Sequence, residues 1–482
     1  MEHAGSTNDY NVEAWPEKHQ DGKVVVSTTA EDGSKDQYHP TKIQSNITLF
    51  SCYMANFSDG LQNNISNPTN VIFKGLLGSE AFSSAMKTRI SNSLIVGAIL
   101  GVVVFGYTSD MYSRKSGLLV TASFVVIGTL MSTVALSVHP SKNMLWYFVI
   151  VRGISGFGVG GEYPPSGAAG IEESDALMSK YRGPMFVSFT TLMATLAGPI
   201  LQIIYLICLI ASDNNLTITF HAIYSIATLL PLAIVGLRFF MTDSSLFHQS
   251  NLKNKRRSPR LYLLLARRYW YPMLTTSLAY FLYDFINFPN SIMSSSIISS
   301  LVKDSNIRHT AIWQVILSIL PVPGVLIGAW LTNSIGRRNT GIVGFAGCAI
   351  LGFVIGGTYT KLSKNIAAFV VLYGLLQAFG HLGPGATIGL ISSESFPTAV
   401  RGMGFAVATA FGRTGAAVGT QCFTPLEDAY GNSSTFYLAG AVAIVGILAY
   451  CLLPESSKLN LAEEDRLLEE YLAENGYKIE EY

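Results

Sequence analysis

The charged residues of this chain are concentrated in three short segments, and this distribution constrains the fold more than any other sequence feature. Residues 1–44, 242–269 and 454–482 hold 32 of the 63 charged residues among 482. Charged side chains make up only 13% of the chain, against about 25% in soluble proteins. The rest forms two long apolar blocks, which excludes an ordinary soluble enzyme. The net charge of +1 also argues against a nucleic-acid partner, which requires a concentrated basic face.

The apolar blocks divide into windows long enough to cross a bilayer, which takes about 20 apolar residues per helix. These windows lie near residues 45–66, 91–108, 117–136, 144–171, 184–210, 219–240, 272–297, 311–332, 340–358, 366–392, 402–422 and 435–453. They predict an all-α polytopic membrane protein with twelve transmembrane helices. Two six-helix bundles, 45–241 and 271–453, alternate with polar segments at 1–44, 242–270 and 454–482.

Lysine and arginine indicate the orientation, because they favour cytoplasmic loops. They cluster in the central segment and in the turns Arg114-Lys115 and Arg337-Arg338, which places both termini in the cytoplasm. The glycosylation sequons at Asn215 and Asn432 then fall in outside loops and are candidate sites. The sequons at Asn46 and Asn56 fall inside or within the first span and are expected to be silent.

The two blocks resemble each other, as expected of a transporter built from repeats. The segment from Gly153 to Ser174 aligns with that from Gly374 to Ser395 without a gap. Asp59 and Asp284 occupy equivalent positions in the first span of each block. We therefore expect two duplicated halves.

Ionisable residues inside spans are costly and mark candidate functional sites. Five stand out: Asp59 in span 1, Arg152 and Glu162 in span 4, Asp284 in span 7 and Arg413 in span 11. We predict that Asp59 pairs with Arg152 and exchanges that cation for a proton, and that Glu162 lines a cavity. The alternative for the first pair is a fixed structural salt bridge. The span 4 glycines, by contrast, indicate close helix packing.

Arginine suits a phosphate because its planar fork donates two parallel hydrogen bonds and keeps its charge. Arg413 and Asp284 would form an anion site with a protonatable neighbour, and Tyr280 and Phe288 flank Asp284 on one helix face. A simple tie between spans 7 and 11 is the alternative. His381 in span 10 has the character of a packed or hydrogen-bonded core residue.

Two short turns predict a charge clamp that holds helix ends in one conformation and releases them in another. The first contains Asp110, Arg114 and Lys115, and the second contains Asn333, Arg337 and Arg338, where the asparagine cannot form an ion pair. Matched helix caps are expected from Glu394 with Arg401, and from Glu173 with Arg182, in roles of gating and stability.

Several motifs together resemble the phosphate:proton symporter branch of the major facilitator superfamily, and most closely its fungal glycerophosphodiester permeases. They are Gly-Gly-Glu-Tyr-Pro in span 4, Tyr-Asp-Phe in span 7, Ser-Glu-Ser-Phe-Pro-Thr-Ala-Val-Arg-Gly after span 10, Gly-Arg-Thr-Gly in span 11 and Pro454-Glu455. The segments Ser58-Asp-Gly-Leu-Gln-Asn-Asn, Phe288-Pro-Asn-Ser-Ile and Gly383-Pro-Gly resemble the permeases in particular. The likeness runs from about residue 43 to 475.

This resemblance implies proton-coupled uptake of glycerophosphoinositol or glycerophosphocholine at the plasma membrane by alternating access. It implies that Glu162 and Tyr163 line the phosphate site, that Arg413 faces the phosphate, and that Asp284 contacts substrate and handles protons. Asp59 and Arg152 would couple protons, and Tyr280 stands where the family commonly has tryptophan. The resemblance implies the proton as coupling ion, without a further cofactor and without a metal. We expect a monomer in the lipid bilayer.

Three alternatives remain open on sequence alone. The chain could carry inorganic phosphate, by proton symport, or sugar on the same fold, or it could be a nutrient receptor that does not transport. A membrane enzyme is the third alternative, but the loops contain no His-Asp or metal-ligand constellation.

Overall fold

The computed structural model describes residues 42–111, 114–178, 181–240, 259–302, 306–459 and 461–477, and within these ranges the chain is built of helices. The helices of the first half are α1 Lys42–Asn64, α2 Ser66–Ala81, α3 Ser84–Met111, α4 Arg114–Thr133, α5 Ser141–Met178, α6 Arg182–Val187, α7 Met193–Ala211 and α8 Leu216–Arg238. Those of the second half are α9 Pro259–Leu301, α10 Ile307–Ile319, α11 Pro321–Ser334, α12 Arg337–Leu362, α13 Ile366–Gly380, α14 Ala386–Glu394, α15 Arg401–Tyr430, α16 Asn432–Cys451 and α17 Leu461–Glu474.

Every predicted window lies on one of these helices or on two consecutive ones, as the window 311–332 does on α10 and α11. In the described part of the chain, nine segments are long and apolar enough to cross a membrane. Helices α1, α9 and α15 are more polar and complete the set of twelve. These three helices carry Asp59, Asp284 and Arg413 among their polar residues.

Two spans are each made of two helices joined by a π-helical turn. The turn Ser188–Leu192 joins α6 to α7, and the turn His381–Gly385 joins α13 to α14. A π-helical turn interrupts the regular backbone hydrogen bonding of a helix and is frequent at functional sites.

Each half has its own apolar core. In the first half, Phe73 packs edge-on against Phe148 with ring centroids 5.0 Å apart. In the second half, Phe436 packs edge-on against Tyr373 at 5.2 Å. Large apolar side chains also cover the outside, as a lipid-facing surface requires, including Ile150, Leu229, Trp330 and Leu448.

Glycines bring α3 and α5 into close contact. A Cβ atom at Gly156 would overlap the backbone of Leu94, and one at Gly160 would overlap the backbone of Ala98. Small residues let helix backbones approach in this way in membranes. The predicted packing role of the span 4 glycines is confirmed.

The bundle has two ends, which we name by what lies there. The linker end holds the end of α8, the start of α9 and the end of α14. The far end holds the starts of α8, α10 and α13, where Asn215, Asn306 and Asn365 accept hydrogen bonds from backbone N–H groups of the first helical turn. Asparagine is a favoured N-cap because its side chain satisfies these otherwise unpaired donors.

Candidate functional site

A cavity of about 210 Å³ lies between the two halves. Its wall comes from α1, α2, α5 and the α6–α7 span on one side, and from α9, α10, α11, the α13–α14 span and α15 on the other. Five of the six residues predicted to bind substrate lie in this wall: Tyr163, Tyr280, Asp284, Phe288 and Arg413. Among the described residues, no group of three or more His, Cys, Asp or Glu is placed to hold a metal ion.

The guanidinium of Arg413 is held between two aromatic rings. Its central carbon lies 4.7 Å from the ring centre of Tyr163 and 4.6 Å from that of Phe288. Its Nη1 lies 3.5 Å from Oδ2 of Asp284, and its Nε has no hydrogen-bond partner. A buried cation with unused donors can accept a bidentate anion.

Tyr280 reaches the side of Arg413 because of the neighbouring glycine. A Cβ atom at Gly412 would overlap the ring of Tyr280. The sequence Gly412-Arg413 therefore admits a bulky aromatic ring close to the cation. This local packing explains why α9 and α15 can place Tyr280, Asp284 and Arg413 on one wall.

The prediction that Glu162 lines the cavity is wrong. Its Oε1 accepts a hydrogen bond from Nη1 of Arg238 at 2.7 Å, and both side chains are buried. Arg238 also donates to the carbonyl oxygen of Leu118. Glu162 and Tyr163 are consecutive on a helix of 3.6 residues per turn, so their side chains point in directions about 100° apart.

Sequence reasoning missed Arg238. It is the last residue of α8, and a cation at a span end is usually a topology signal. The signal that could have found it is the Glu162 carboxylate, which needs a buried cation once it is turned away from the cavity.

The predicted Asp59–Arg152 ion pair is also wrong. Nη2 of Arg152 donates instead to the carbonyl oxygen of Gln62 at 3.0 Å and to Oγ of Ser66 at 2.7 Å. Asp59 is 1% exposed, its Oδ1 has no hydrogen-bond partner, and its carboxyl group contacts that of Glu162.

Asp59, Glu162 and Arg238 therefore form one buried cluster, which we call the acidic cluster. Two carboxyl groups share the guanidinium of Arg238, and Arg413, which also acts on Asp59, already faces Asp284. Three carboxyl groups thus share two guanidinium groups, so one negative charge is left uncompensated unless a proton neutralises it. The cluster lies in the first half, whereas the Arg413 site draws Tyr163 from the first half and its other groups from the second.

The two π-helical turns meet across the cavity. Oγ1 of Thr191 donates to the carbonyl oxygen of Gly385 at 2.8 Å, and Oγ1 of Thr195 lies 3.3 Å from Nδ1 of His381. His381 is thus hydrogen-bonded and also lines the cavity.

Glu394 joins the two halves at the linker end. Its Oε1 accepts hydrogen bonds from Arg182 of the first half at 2.9 Å and from Arg337 of the second half at 3.3 Å. Its Oε2 accepts from Ser456 at 2.6 Å. Arg182 thus pairs with Glu394, whereas Glu173, its expected partner, has a side chain outside the described residues.

The other predicted gating residues fall into two groups. The backbone N–H groups of Arg337 and Arg338 donate to the carboxylate of Glu455. Nε of Arg401 donates to the carbonyl oxygens of Ser393 and Phe396, so these bonds do not pair Arg401 with Glu394. The side chains of Asp110 and Arg114 lie outside the described residues.

The halves also touch at the far end. Nζ of Lys87 donates to Oγ of Ser296 at 2.5 Å, and the hydroxyl groups of Thr88 and Thr424 lie 3.0 Å apart. Contacts between the halves therefore lie on both sides of the cavity.

The two predicted glycosylation sites differ in their surroundings. Asn215 is exposed and uses its Oδ1 to cap α8. Nδ2 of Asn432, the atom that would be glycosylated, donates to the hydroxyl of Tyr359 at 2.8 Å. Glycosylation of either residue stays a prediction.

Sequence comparison defines the class of protein. The sequence profile of the sugar (and other) transporter family matches residues 43–262 and 260–468. The chain therefore belongs to this transporter family of the major facilitator superfamily, and it is not an enzyme.

Three fungal relatives are similar over most of their length. The MFS-type transporter lnaF of Aspergillus flavus is 71% identical, covering 95% of this chain and 94% of that protein. Glycerophosphoinositol permease 1 of Candida albicans is 34% identical, covering 92% and 85%. Glycerophosphoinositol transporter 1 of Saccharomyces cerevisiae is 34% identical, covering 94% and 86%.

The fold matches solved transporters. The proton:xylose symporter XylE bound to 6-bromo-6-deoxy-D-glucose superimposes with a TM-score of 0.74, covering 89% of this chain and 100% of XylE, at 16% identity. This likeness shows the twelve-helix fold, which confirms the predicted fold class.

Proposed function

We propose that this transporter is a proton-coupled importer of glycerophosphodiesters. The Arg413 site carries the proposal, because a desolvated guanidinium lies in a cavity between the halves. A phosphodiester is a monoanion that can accept two parallel hydrogen bonds from such a group. The named substrates of the Candida and Saccharomyces relatives agree with this chemistry.

In this proposal Arg413 binds the phosphodiester, and Tyr163, Tyr280 and Phe288 form the walls around it. Asp284, 3.5 Å from Arg413, is the counter-ion of the empty site. When the anion arrives, Asp284 becomes a second negative charge beside the same cation. Taking up a proton relieves that repulsion, so Asp284 serves as substrate contact and as one proton site.

Asp59 is the second proposed proton site. Its coupling partners in this proposal are Glu162 and Arg238 of the acidic cluster, in place of Arg152. Protonation of Asp59 would leave the Glu162–Arg238 pair neutral overall, which lowers the cost of a change in burial. Uptake of a monoanion with two protons moves one net positive charge inward and is therefore electrogenic. The membrane potential then adds to the driving force, since one charge moved through 100 mV is worth about 2.3 kcal/mol.

We place the linker end and both termini in the cytoplasm of a plasma-membrane protein. Alternating access then requires the contacts of Glu394 with Arg182 and Arg337 to break when the cavity opens inward. The Lys87–Ser296 and Thr88–Thr424 contacts would break when it opens outward.

An uptake screen tests the proposal. Cells lacking their own carriers and expressing this chain are given radiolabelled glycerophosphoinositol, glycerophosphocholine, inorganic phosphate or a hexose. We expect accumulation of a glycerophosphodiester that rises at acid external pH, collapses with a protonophore and resists excess phosphate. Uptake of phosphate or hexose without the diesters contradicts the proposal, as does ligand binding to vesicles without uptake.

A further inference from the structure

One region of the cavity wall is built of amide side chains and extends from Asn63, which contacts Tyr163 beside Arg413, toward the far end. Asn63, Asn64, Asn67, Gln202 and Gln314 line it, and we call this group the amide subsite. Asn63, Asn64 and Asn67 follow α1 into α2, Gln202 is in α7 and Gln314 is in α10. The subsite therefore draws on both halves, like the Arg413 site.

The α9 helix connects the two regions of the cavity. Asp284, Asn287, Ser291 and Ser294 line the wall in that order, at spacings that keep them on one helix face. Ser294 lies ten residues beyond Asp284, a rise of about 15 Å toward the far end. Oγ of Ser294 lies 3.4 Å from Oε1 of Gln314, so the far part of this stripe meets the amide subsite.

Two buried atoms of the subsite have no partner in the protein. Asn67 and Gln314 are each 5% exposed, and Oδ1 of Asn67 and Nε2 of Gln314 lack hydrogen bonds. Leaving a buried polar atom unpaired costs about 1–3 kcal/mol. One atom is an acceptor and the other a donor, and a hydroxyl group can serve both kinds because it donates and accepts.

The same surroundings are unfavourable for a quaternary ammonium group, which can neither donate nor accept a hydrogen bond. Such a group is usually held by a carboxylate or by aromatic faces. Among the described residues of the wall, Asp284 is the one carboxylate, and it already faces Arg413. Arg413 also occupies the rings of Tyr163 and Phe288. The other aromatic residues of the wall lie on the linker-end side of Asp284, away from the amide subsite: Phe186, Tyr280, Tyr283 and Phe405.

We infer that the amide subsite recognises an uncharged, hydroxyl-rich alcohol on the substrate, and that Asn67 and Gln314 determine this preference. The inference rests on the proposed function, because it assigns the alcohol of the diester whose phosphate Arg413 binds. It selects a polyol such as inositol over choline.

Competing uptake of glycerophosphoinositol and glycerophosphocholine tests the inference in four proteins. Wild type is expected to prefer the inositol diester. Gln314→Leu and Asn67→Leu should raise the KM for the inositol diester about five- to tenfold, as expected for the loss of one hydrogen bond, and leave the KM for the choline diester unchanged. Asn70→Leu is the matched control, since Asn70 is a buried amide with unpaired atoms that is absent from the described cavity wall. It should leave the ratio unchanged.

A gain-of-function variant guards against loss of folding. Gln314→Glu places a carboxylate in the subsite and should shift the preference toward glycerophosphocholine. The inference is overturned if wild type prefers the choline diester, or if all variants change both substrates equally.

If wild type carries neither diester, the proposed function fails and the subsite is tested by itself. Purified wild type should then be stabilised against heat by myo-inositol and not by choline, and Gln314→Leu should lose that stabilisation. Equal stabilisation by the two compounds, or none by myo-inositol, overturns the inference.

Discussion

Arg413 is the residue on which anion binding is expected to depend. Arg413→Ala should lower uptake about 100-fold, because removing one member of a buried charge pair costs about 2–5 kcal/mol and leaves Asp284 without its cation. The measurement is initial uptake rate normalised to surface expression. Arg308→Ala is the matched control, since Arg308 forms an exposed pair with Asp213 at 3.3 Å, and such pairs contribute little. Retained uptake with unchanged substrate affinity in Arg413→Ala would contradict the phosphate role.

Asp59 is the residue whose loss should weaken the coupling of transport to the proton gradient. Asp59→Asn keeps the shape of the side chain but cannot take up a proton, which leaves Asp284 as the remaining proposed proton site, so accumulation should respond less steeply to external pH than in wild type. Exchange of labelled for unlabelled substrate should persist, because it needs no net proton movement. Asp213→Asn, at an exposed aspartate, is the control. Uptake by Asp59→Asn that follows the gradient as steeply as in wild type would contradict the role of Asp59.

At the scale of the helix, the α3–α5 contact should tolerate no added atoms. Gly160→Ala places a Cβ atom against the backbone of Ala98, and overpacking of this kind costs about 1–3 kcal/mol. Gly236→Ala makes the same substitution in α8, where a Cβ atom meets nothing within 4 Å. Thermal unfolding in detergent should show a lower midpoint for Gly160→Ala only. Equal midpoints would mean that the two helices can move apart freely.

The helices could be predicted from the sequence because a span needs only a long apolar window. Asp284, Tyr280 and Phe288 could be placed on one face by helical spacing alone. The partners of Asp59, Arg152 and Glu162 could not, because they depend on which helices are neighbours and how each is rotated.

Arginine adds a further difficulty, since its long side chain carries the charge far from its own helix position. Arg238 stands at the end of α8 yet reaches Glu162 in α5. The amide subsite was missed for a related reason. Single amides in apolar helices have no sequence pattern until the fold brings Asn67 and Gln314 to one wall.

At the scale of the whole molecule, Glu394 should control how readily the linker end opens. Glu394→Gln removes the charge that holds Arg182 and Arg337, which favours separation of the halves at that end. Spin labels at Tyr181 and Ile335, in a variant with Cys422 and Cys451 replaced, should show a longer mean distance in Glu394→Gln. The exposed pair of Arg308 and Asp213 supplies the control, because Asp213→Asn should leave that distance unchanged. An unchanged distance in Glu394→Gln would show that the halves are held by other contacts.

The aromatic sandwich around Arg413 takes one ring from each half, Tyr163 from the first and Phe288 from the second. When the halves rock apart, the guanidinium must give up at least one of these faces. In the empty carrier nothing replaces the lost contact between the guanidinium and the ring. In the loaded carrier the bound anion still pairs with the guanidinium. We therefore expect the return of the unloaded carrier to be the slow step of the transport cycle. Substrate on the opposite side should speed the release of labelled substrate.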